Sequence, residues 1–255
     1  MKIFVTGGTG YIGSHTVVEL QKNGYDVIIA DNLVNSSLDV LDGIEKITGI
    51  RPEFEEIDLT DGEVTRDFFA RHSDIRAVIH FAALKAVGES VNKPLEYYFN
   101  NLNSLMNVLT CMREFKVPNL VFSSSCTVYG QADVLPVTEK TPRHEAESPY
   151  GNTKVMSEDI IRDLMRVEPD MKALALRYFN PIGAHPTAFI GELPNGVPNN
   201  LIPYLTQTAI GIREQLSVFG DDYNTPDGSP LRDYIDVVDL AQAHVVAIRQ
   251  LLEGK

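Results

Sequence analysis

The sequence predicts an α/β fold, a doubly wound parallel sheet with a smaller region after it, from three observations. The first is the start of the chain, where the apolar run Lys2-Ile-Phe-Val-Thr6 breaks into Gly7-Gly8-Thr9-Gly10-Tyr11-Ile12-Gly13 and a helical pattern follows, with Ile12, Val17, Val18 and Leu20 apolar. The second is that short apolar runs of strand length alternate with helical patterns as far as residue 177. The third is that those runs are almost continuously apolar, as expected of strands covered on both faces by helices.

Taken in order, the strands are expected at 2–6, 26–30, 53–57, 76–80, 119–123 and 172–177. Asp26-Val-Ile-Ile-Ala30 and Arg76-Ala-Val-Ile-His80 carry the β-branched character that favours a pleated, buried surface. Helices are expected at 11–23, 37–48, 61–71, 94–115 and 149–167. Gly24 sits where a glycine closes a helix, and Asp61 where a carboxylate caps the start of one. After residue 178 the character changes. Pro181, Pro186, Pro194 and Pro198 mark a loop-like stretch, followed by helical patterns at 200–213 and 237–252 around the strand-like Leu216-Ser-Val-Phe219. Long irregular segments in a compact chain are usually binding loops. The chain therefore divides into a dinucleotide-binding domain, 1–178, and a smaller substrate-binding region, 179–255.

Bulk properties narrow the function. The chain has 255 residues, enough to bury a substantial core, with 44% hydrophobic and 22% charged residues. Its net charge of −13, without a lysine/arginine cluster, argues against nucleic acid or an anionic membrane as partner. No apolar run approaches the ~20 residues that cross a bilayer, and the N-terminus enters a strand with no basic, signal-like leader. The two cysteines, Cys111 and Cys126, lie in no metal-type spacing, so no metal site is expected. A cytoplasmic location fits these features.

Strand, glycine turn and helix together form the setting of a Rossmann-type dinucleotide loop, in which backbone N–H groups approach a pyrophosphate at a helix N-terminus. Glycines at 7, 10 and 13, or at 8, 10 and 13, both fit the spacing. Asp31 closes the second strand, where an acidic side chain accepts hydrogen bonds from a ribose diol and repels a 2′-phosphate. That favours NAD over NADP; the competing role is a turn cap in Asp31-Asn32. Asp58 closes the third strand, near the expected adenine rim.

Tyr150 and Lys154 follow Ser148-Pro149 at the expected start of a helix, four residues apart and so on one face. A phenol with a pKa of about 10 is too weak a base near neutrality, and a neighbouring ammonium together with an oxidised nicotinamide would lower it. Val121-Phe-Ser-Ser-Ser125 reads as a strand ending in three hydroxyls, at the carboxyl edge where open α/β sheets bind ligands. Ser125 there can bond both a substrate hydroxyl and the tyrosine oxygen; alternatively these serines satisfy the last backbone groups of the strand.

These pieces resemble the extended short-chain dehydrogenase/reductase family, and within it the nucleotide-sugar epimerases. The resemblance rests on Thr6-Gly-Gly-Thr-Gly-Tyr-Ile-Gly-Ser-His15, His80-Phe-Ala-Ala-Leu-Lys-Ala-Val-Gly-Glu-Ser90, Lys93-Pro-Leu-Glu-Tyr-Tyr98, Ser148-Pro-Tyr-Gly151, Arg177-Tyr-Phe-Asn-Pro-Ile-Gly-Ala184, Pro198-Asn-Asn-Leu201 and Leu231-Arg-Asp-Tyr234. It implies Tyr150 as catalytic base, Lys154 as its partner and ribose ligand, and Ser125 as hydroxyl relay. It implies NAD contacts at Gly7, Gly10, Tyr11, Ile12, Gly13, Asp31, Asn32, Asn35, Asp58, Leu59, Phe81, Lys85, Asn100, Ser123, Tyr150, Lys154 and Tyr178. Substrate contacts would be Lys85, Ser125, Tyr150, Asn180, Asn200, Leu201, Phe219 and Arg232. Phe81 and Phe219 as plain core, and Arg232 as a surface ion pair, are the competing roles.

The implied activity is reversible inversion at C4 of a UDP-hexose, glucose to galactose, through a 4-keto intermediate. The implied assembly is a homodimer pairing helices 94–115 and 149–167 across a two-fold. Related dehydratases place Asp-Glu after the relay hydroxyl, and decarboxylases a Glu second; Cys126 and Thr127 stand here, and neither is a carboxylic acid. Relatives of this kind continue for several dozen residues beyond the last helix, whereas this sequence ends at Glu253-Gly-Lys255, so an incomplete sugar site is expected. A catalytically impaired NAD-binding fragment, a non-enzymatic NAD module and a different nucleotide-sugar epimerase are the alternatives.

Overall fold

The computed structural model, which describes residues 1–254, is built on a six-stranded sheet in the order β3-β2-β1-β4-β5-β6, every pairing parallel. The strands are β1 Lys2–Thr6, β2 Asp26–Asp31, β3 Glu53–Glu56, β4 Ile75–His80, β5 Asn119–Ser125 and β6 Lys172–Tyr178. Between them run α1 Tyr11–Lys22, α2 Asp39–Thr48, α3 Gly62–Arg71, α4 Val87–Asn92, α5 Pro94–Glu114 and α6 Pro149–Val167. Strand order reverses between β1 and β4, which opens a crevice above their carboxyl ends.

Period-two alternation assigns side chains to the two faces. Ile3, Val5, Val27 and Ile29 pack beneath Val17, Val18 and Leu20 of α1 and Ile44 of α2. Phe4, Ile28 and Ala30 point the other way, onto Phe68 and Phe69 of α3 and Leu105, Val108 and Met112 of α5. The doubly wound sheet read from the apolar runs is the sheet observed.

Past β6 the chain forms β7 Asn180–Ile182, α7 Leu201–Ala209, β8 Tyr234–Asp236 and α8 Val237–Leu252. β7 and β8 pair in parallel as a separate two-stranded sheet. Leu216-Ser-Val-Phe219 is not a strand: Val218 is 80% and Phe219 95% exposed, and an apolar run without a neighbouring strand has nothing to pair with. The helix expected at 200–213 stops at Ala209 because Gly211 turns left-handed, with φ +81°. α8 returns to the main sheet, burying Val245, Ile248 and Leu251 in the core beneath α1.

Candidate functional site

A cleft of about 640 Å³ lies at the carboxyl ends of the central strands. Its floor is the β1–α1 loop, whose glycines are there for steric reasons. Gly7 adopts φ +66°, and a Cβ on it would lie 2.8 Å from the Ala82 nitrogen; a Cβ on Gly13 would lie 2.3 Å from the Gly7 carbonyl oxygen. With side chains absent, Gly10 N–H donates to Gly7 O at 3.1 Å and the loop turns directly into α1. The result is a backbone-lined cradle at a helix N-terminus, suited to a diphosphate.

At one end of the cradle Asp31 closes β2. Its carboxylate accepts from Thr9 N–H at 3.3 Å, Leu33 N–H at 2.9 Å and the Ser36 hydroxyl at 3.3 Å. It performs the turn-capping role and lines the cleft as well. Asn32, Asn35, Asp58 and Leu59 line the same end, and Phe81, Lys85 and Asn100 the middle. Asp58 also accepts from the Thr60 N–H and hydroxyl at 2.9 and 2.8 Å, and Asp61 caps α3 as expected.

The other end holds Ser123, Tyr150, Lys154 and Tyr178. Ser148 caps α6 by accepting from Gly151 N–H at 3.1 Å, with Pro149 in the first turn. That fixes the helix start, so Tyr150 and Lys154 both face β5. Lys154 is buried; its Nζ donates to Ser123 O at 2.7 Å and lies 5.8 Å from the Tyr150 ring centre. The Ser125 side chain lies next to the Tyr150 phenol, outside the cleft lining, and accepts from Thr127 N–H at 3.2 Å. Tyr178 hydroxyl meets Ser123 Oγ in a short hydrogen bond.

Burial pushes Tyr150 up to about 12, with the neighbouring Ser125 side chain acting in the opposite direction. The sequence reading expected Lys154 to lower this phenol. The polypeptide alone does not achieve that, because desolvation outweighs the neighbours it supplies. Burial likewise pulls Lys154 down to about 8, opposed by the charge of Glu158.

The substrate candidates are more scattered. Lys85 and Asn200 line the cleft on either side of Glu192: Asn200 Nδ2 donates to Glu192 Oε1 at 2.6 Å, and Lys85 Nζ is 3.7 Å from it. The segment carrying Glu192 crosses the cleft mouth. Asn195 Nδ2 reaches Val34 O at 3.3 Å, while Phe189 and Ile190 press against Gly43 of α2. Asn180 is exposed and bonds Asp233 O at 3.0 Å through Nδ2. Leu201, Phe219 and Arg232 are exposed and lie outside the cleft lining, so Phe219 is not core; the Arg232 guanidinium donates to Leu231 O at 2.8 Å.

Three functional neighbours escaped the sequence reading. Asn101 takes Leu84 N–H on Oδ1 at 2.8 Å and donates from Nδ2 to Leu84 O and Thr153 Oγ1. It thereby ties the β4 loop to the helix bearing Tyr150. Glu192 sits in the loop-like stretch with no periodic signal to single it out. Glu158 continues the four-residue row from Tyr150 and Lys154, a signal present in the sequence. Among the described residues no His/Cys/Asp/Glu cluster could hold a metal ion, and no helix is long and apolar enough to cross a membrane.

A doubly wound sheet with a glycine cradle at the reversal point and a Ser–Tyr–Lys set beside it defines a dinucleotide-dependent α/β protein. The chain belongs to the NAD dependent epimerase/dehydratase family, which it matches over residues 3–255. It is 54% identical to UDP-glucose 4-epimerase of Bacillus subtilis over all of this chain and 74% of that protein, and 52% identical to the Mus musculus enzyme over 99% and 74%. It is also 54% identical to bifunctional protein GAL10 of Pachysolen tannophilus, of which it spans 37%. Its fold superimposes on UDP-glucose 4-epimerase from Bifidobacterium longum, solved with NAD+ and UDP, with TM-score 0.95 and 48% identity over 98% of this chain and 74% of that one. The Stenotrophomonas maltophila enzyme, solved with NAD and formylated UDP-arabinopyranose, gives TM-score 0.94 and 48% identity, covering 100% and 75%.

Proposed function

We propose that this chain catalyses the NAD-dependent, reversible inversion of C4 in a UDP-hexose, interconverting UDP-glucose and UDP-galactose. One observation carries the reading: Tyr150 and Lys154, with Ser125 next to the phenol, stand at one end of a cleft whose other end is a glycine cradle with Asp31 beside it. The residues fit the cofactor. Gly7 and Gly13 lie where a Cβ would strike neighbouring backbone, so a tight turn lines the cleft with backbone, and Asp31 offers carboxylate oxygens beside it where a ribose diol needs acceptors. NAD bound there supplies reversible oxidation and reduction at the sugar carbon and a positive charge beside the phenol.

The chain's own residues then have separable tasks. Tyr150 takes the proton from the sugar 4-hydroxyl and later returns it. Ser125, next to the same phenol, holds that hydroxyl in line and passes the proton. Lys154, anchored on Ser123 O, keeps a positive charge under the phenol ring. Between the two transfers the 4-keto sugar turns over, so its contacts must be few, and Lys85 and Asn200 would hold the diphosphate instead. Asn180, Leu201, Phe219 and Arg232 belong to the same reading as outer contacts for the nucleotide. The roles of Asn32, Asn35, Asp58, Leu59, Phe81, Asn100, Ser123 and Tyr178 as NAD contacts rest on their place along the cleft.

The reading includes a homodimer through α5 and α6, supported by exposed Leu95, Phe99, Met106 and Met156 on those helices, and a cytoplasmic location, supported by two free cysteines. The test is Tyr150→Phe. Turnover of UDP-galactose should fall by at least about a hundredfold while NAD stays bound; turnover within a few fold of wild type removes Tyr150 as the base. Growth of absorbance near ~340 nm when UDP-glucose is added reports the cofactor's reduction, and a flat trace with NAD bound favours a non-enzymatic module.

A further inference from the structure

A buried ionic cluster lies one helical turn beyond Lys154, on the side away from the cleft. Tyr150, Lys154 and Glu158 stand at intervals of four along α6 and share one face. Glu158 is 7% exposed, yet every direction open to its carboxylate is taken. Oε1 accepts from the Ser124 hydroxyl at 2.5 Å and from Arg177 Nε at 2.8 Å; Oε2 accepts from Arg177 Nη2 at 2.6 Å and from Arg143 Nη2 in a short contact. Arg177 in turn donates to the Tyr129 hydroxyl at 3.1 Å and stacks over that ring at 5.0 Å, and Arg143 reaches Asp159 at 2.7 Å.

The cluster joins pieces that are remote in sequence. Ser124 is on β5, between Ser123, whose carbonyl holds Lys154, and Ser125, which neighbours the Tyr150 phenol. Arg177 is on β6, next to Tyr178 in the cleft wall. Tyr129 is in the short 3-10 turn Cys126–Tyr129 that follows Ser125. One carboxylate therefore fixes the catalytic helix against the two strand ends that carry its partners. A buried charge is costly unless fully paired, and four donors on Glu158 meet that condition.

We propose that Glu158 is a positioning residue for the epimerase reaction, clamping the end of β5 through Ser124 and the end of β6 through Arg177 so that Lys154 is held as an ammonium beneath Tyr150. The inference rests on the function proposed above. Besides Glu158, the groups facing Lys154 are Tyr150 on its own helix, His80 from β4 and the Ser123 carbonyl with Phe122 from β5. Tyr178 from β6, Tyr97 from α5 and Cys126 from the 3-10 turn face Tyr150. Of these Glu158 is the one acid, and its charge opposes the burial that drives Lys154 toward the neutral amine. Removing it lets Lys154 lose its proton at lower pH, and the phenol above loses its cation.

The test compares Glu158→Gln with Ser124→Ala in the full chain with NAD bound. Glu158→Gln should lower kcat at pH 8 about tenfold and move the alkaline limb of the kcat profile down by roughly one pH unit, with KM for UDP-galactose changed less than about threefold. Ser124→Ala, which cuts the β5 tether and keeps the charge, should lower kcat severalfold and leave the limb in place. Ultraviolet titration of the Tyr150 phenolate, taken as the difference from Tyr150→Phe, gives a readout without turnover. Its ionisation should move up in Glu158→Gln. If wild type lacks epimerase activity but this titration moves, the function fails and the positioning role stands. If the limb and titration of a folded Glu158→Gln match wild type, the role is overturned; if that variant does not fold, wild-type kcat in Ser124→Ala overturns it.

Discussion

Burial shifts Tyr150 up and Lys154 down, favouring the neutral form of each. Lys154 has consequences for stability that can be worked out in sign. Its ordinary value is 10.5 and its folded value about 8, so between those two values the unfolded chain binds the extra proton and stability from this group rises with pH. Below about 8 the cost of the buried ammonium is present in full. Lys154→Met should therefore be nearly inactive yet melt at or above the wild-type temperature at pH 7, with the difference shrinking as pH climbs past 8 in calorimetric scans. If Lys154→Met melts lower at pH 7 and the gap does not change with pH, the Ser123 bond outweighs the burial cost. Asp31 permits a second residue-scale expectation. Replacing its carboxylate in Asp31→Ser removes the repulsion of a 2′-phosphate, and the NADP-to-NAD ratio of dissociation constants should fall by about tenfold or more, read by quenching or calorimetry.

At the scale of elements, the glycine turn is the part the fold tolerates least. In Gly13→Ala the new methyl would meet two backbone atoms, Gly7 O at 2.3 Å and Gly8 Cα at 2.8 Å. Backbone cannot swing aside as a side chain can, so a loss of about 2 kcal/mol or more is expected, together with loss of NAD from the purified protein. Asp61→Ala, at the N-cap of α3, should cost about 1 kcal/mol and leave NAD binding intact; equal damage from the two variants would contradict a localised role for the turn. The same elements explain what was legible in the chain. β1, β2, β4 and β5 are buried on both faces, so their composition announces them, and the glycines, Tyr150 and Lys154 carry fixed spacings. β7 and β8 are three residues each and pair across more than fifty positions, which leaves no local period to read. Val87–Asn92 is too short to show amphipathic spacing, and Glu158 lies one turn past the Tyr150–Lys154 pair, beyond the motif's spacing. Glu192 and Asn101 matter through contacts that only the folded chain creates.

For the molecule as a whole, two surfaces follow from one sheet. The helices that cover it on the α5–α6 side leave Leu95 81% and Phe99 62% exposed. The dimer proposed above would bury them, and in that case Phe99→Glu should convert a two-chain particle into one chain in light scattering without loss of secondary structure. A wild type that already scatters as a single chain would remove the dimer. The other surface is the cleft, and the segment from Phe189 to Asn200 passes over it from α2 and Val34 on one bank to the neighbourhood of Lys85 on the other. If the proposed dinucleotide lies beneath this segment, its departure requires the segment to move. Its residence time is then governed by how often a dozen residues of polypeptide let go, rather than by the sum of its own attachments, and exchange in solution should be slow even where each separate grip is weak.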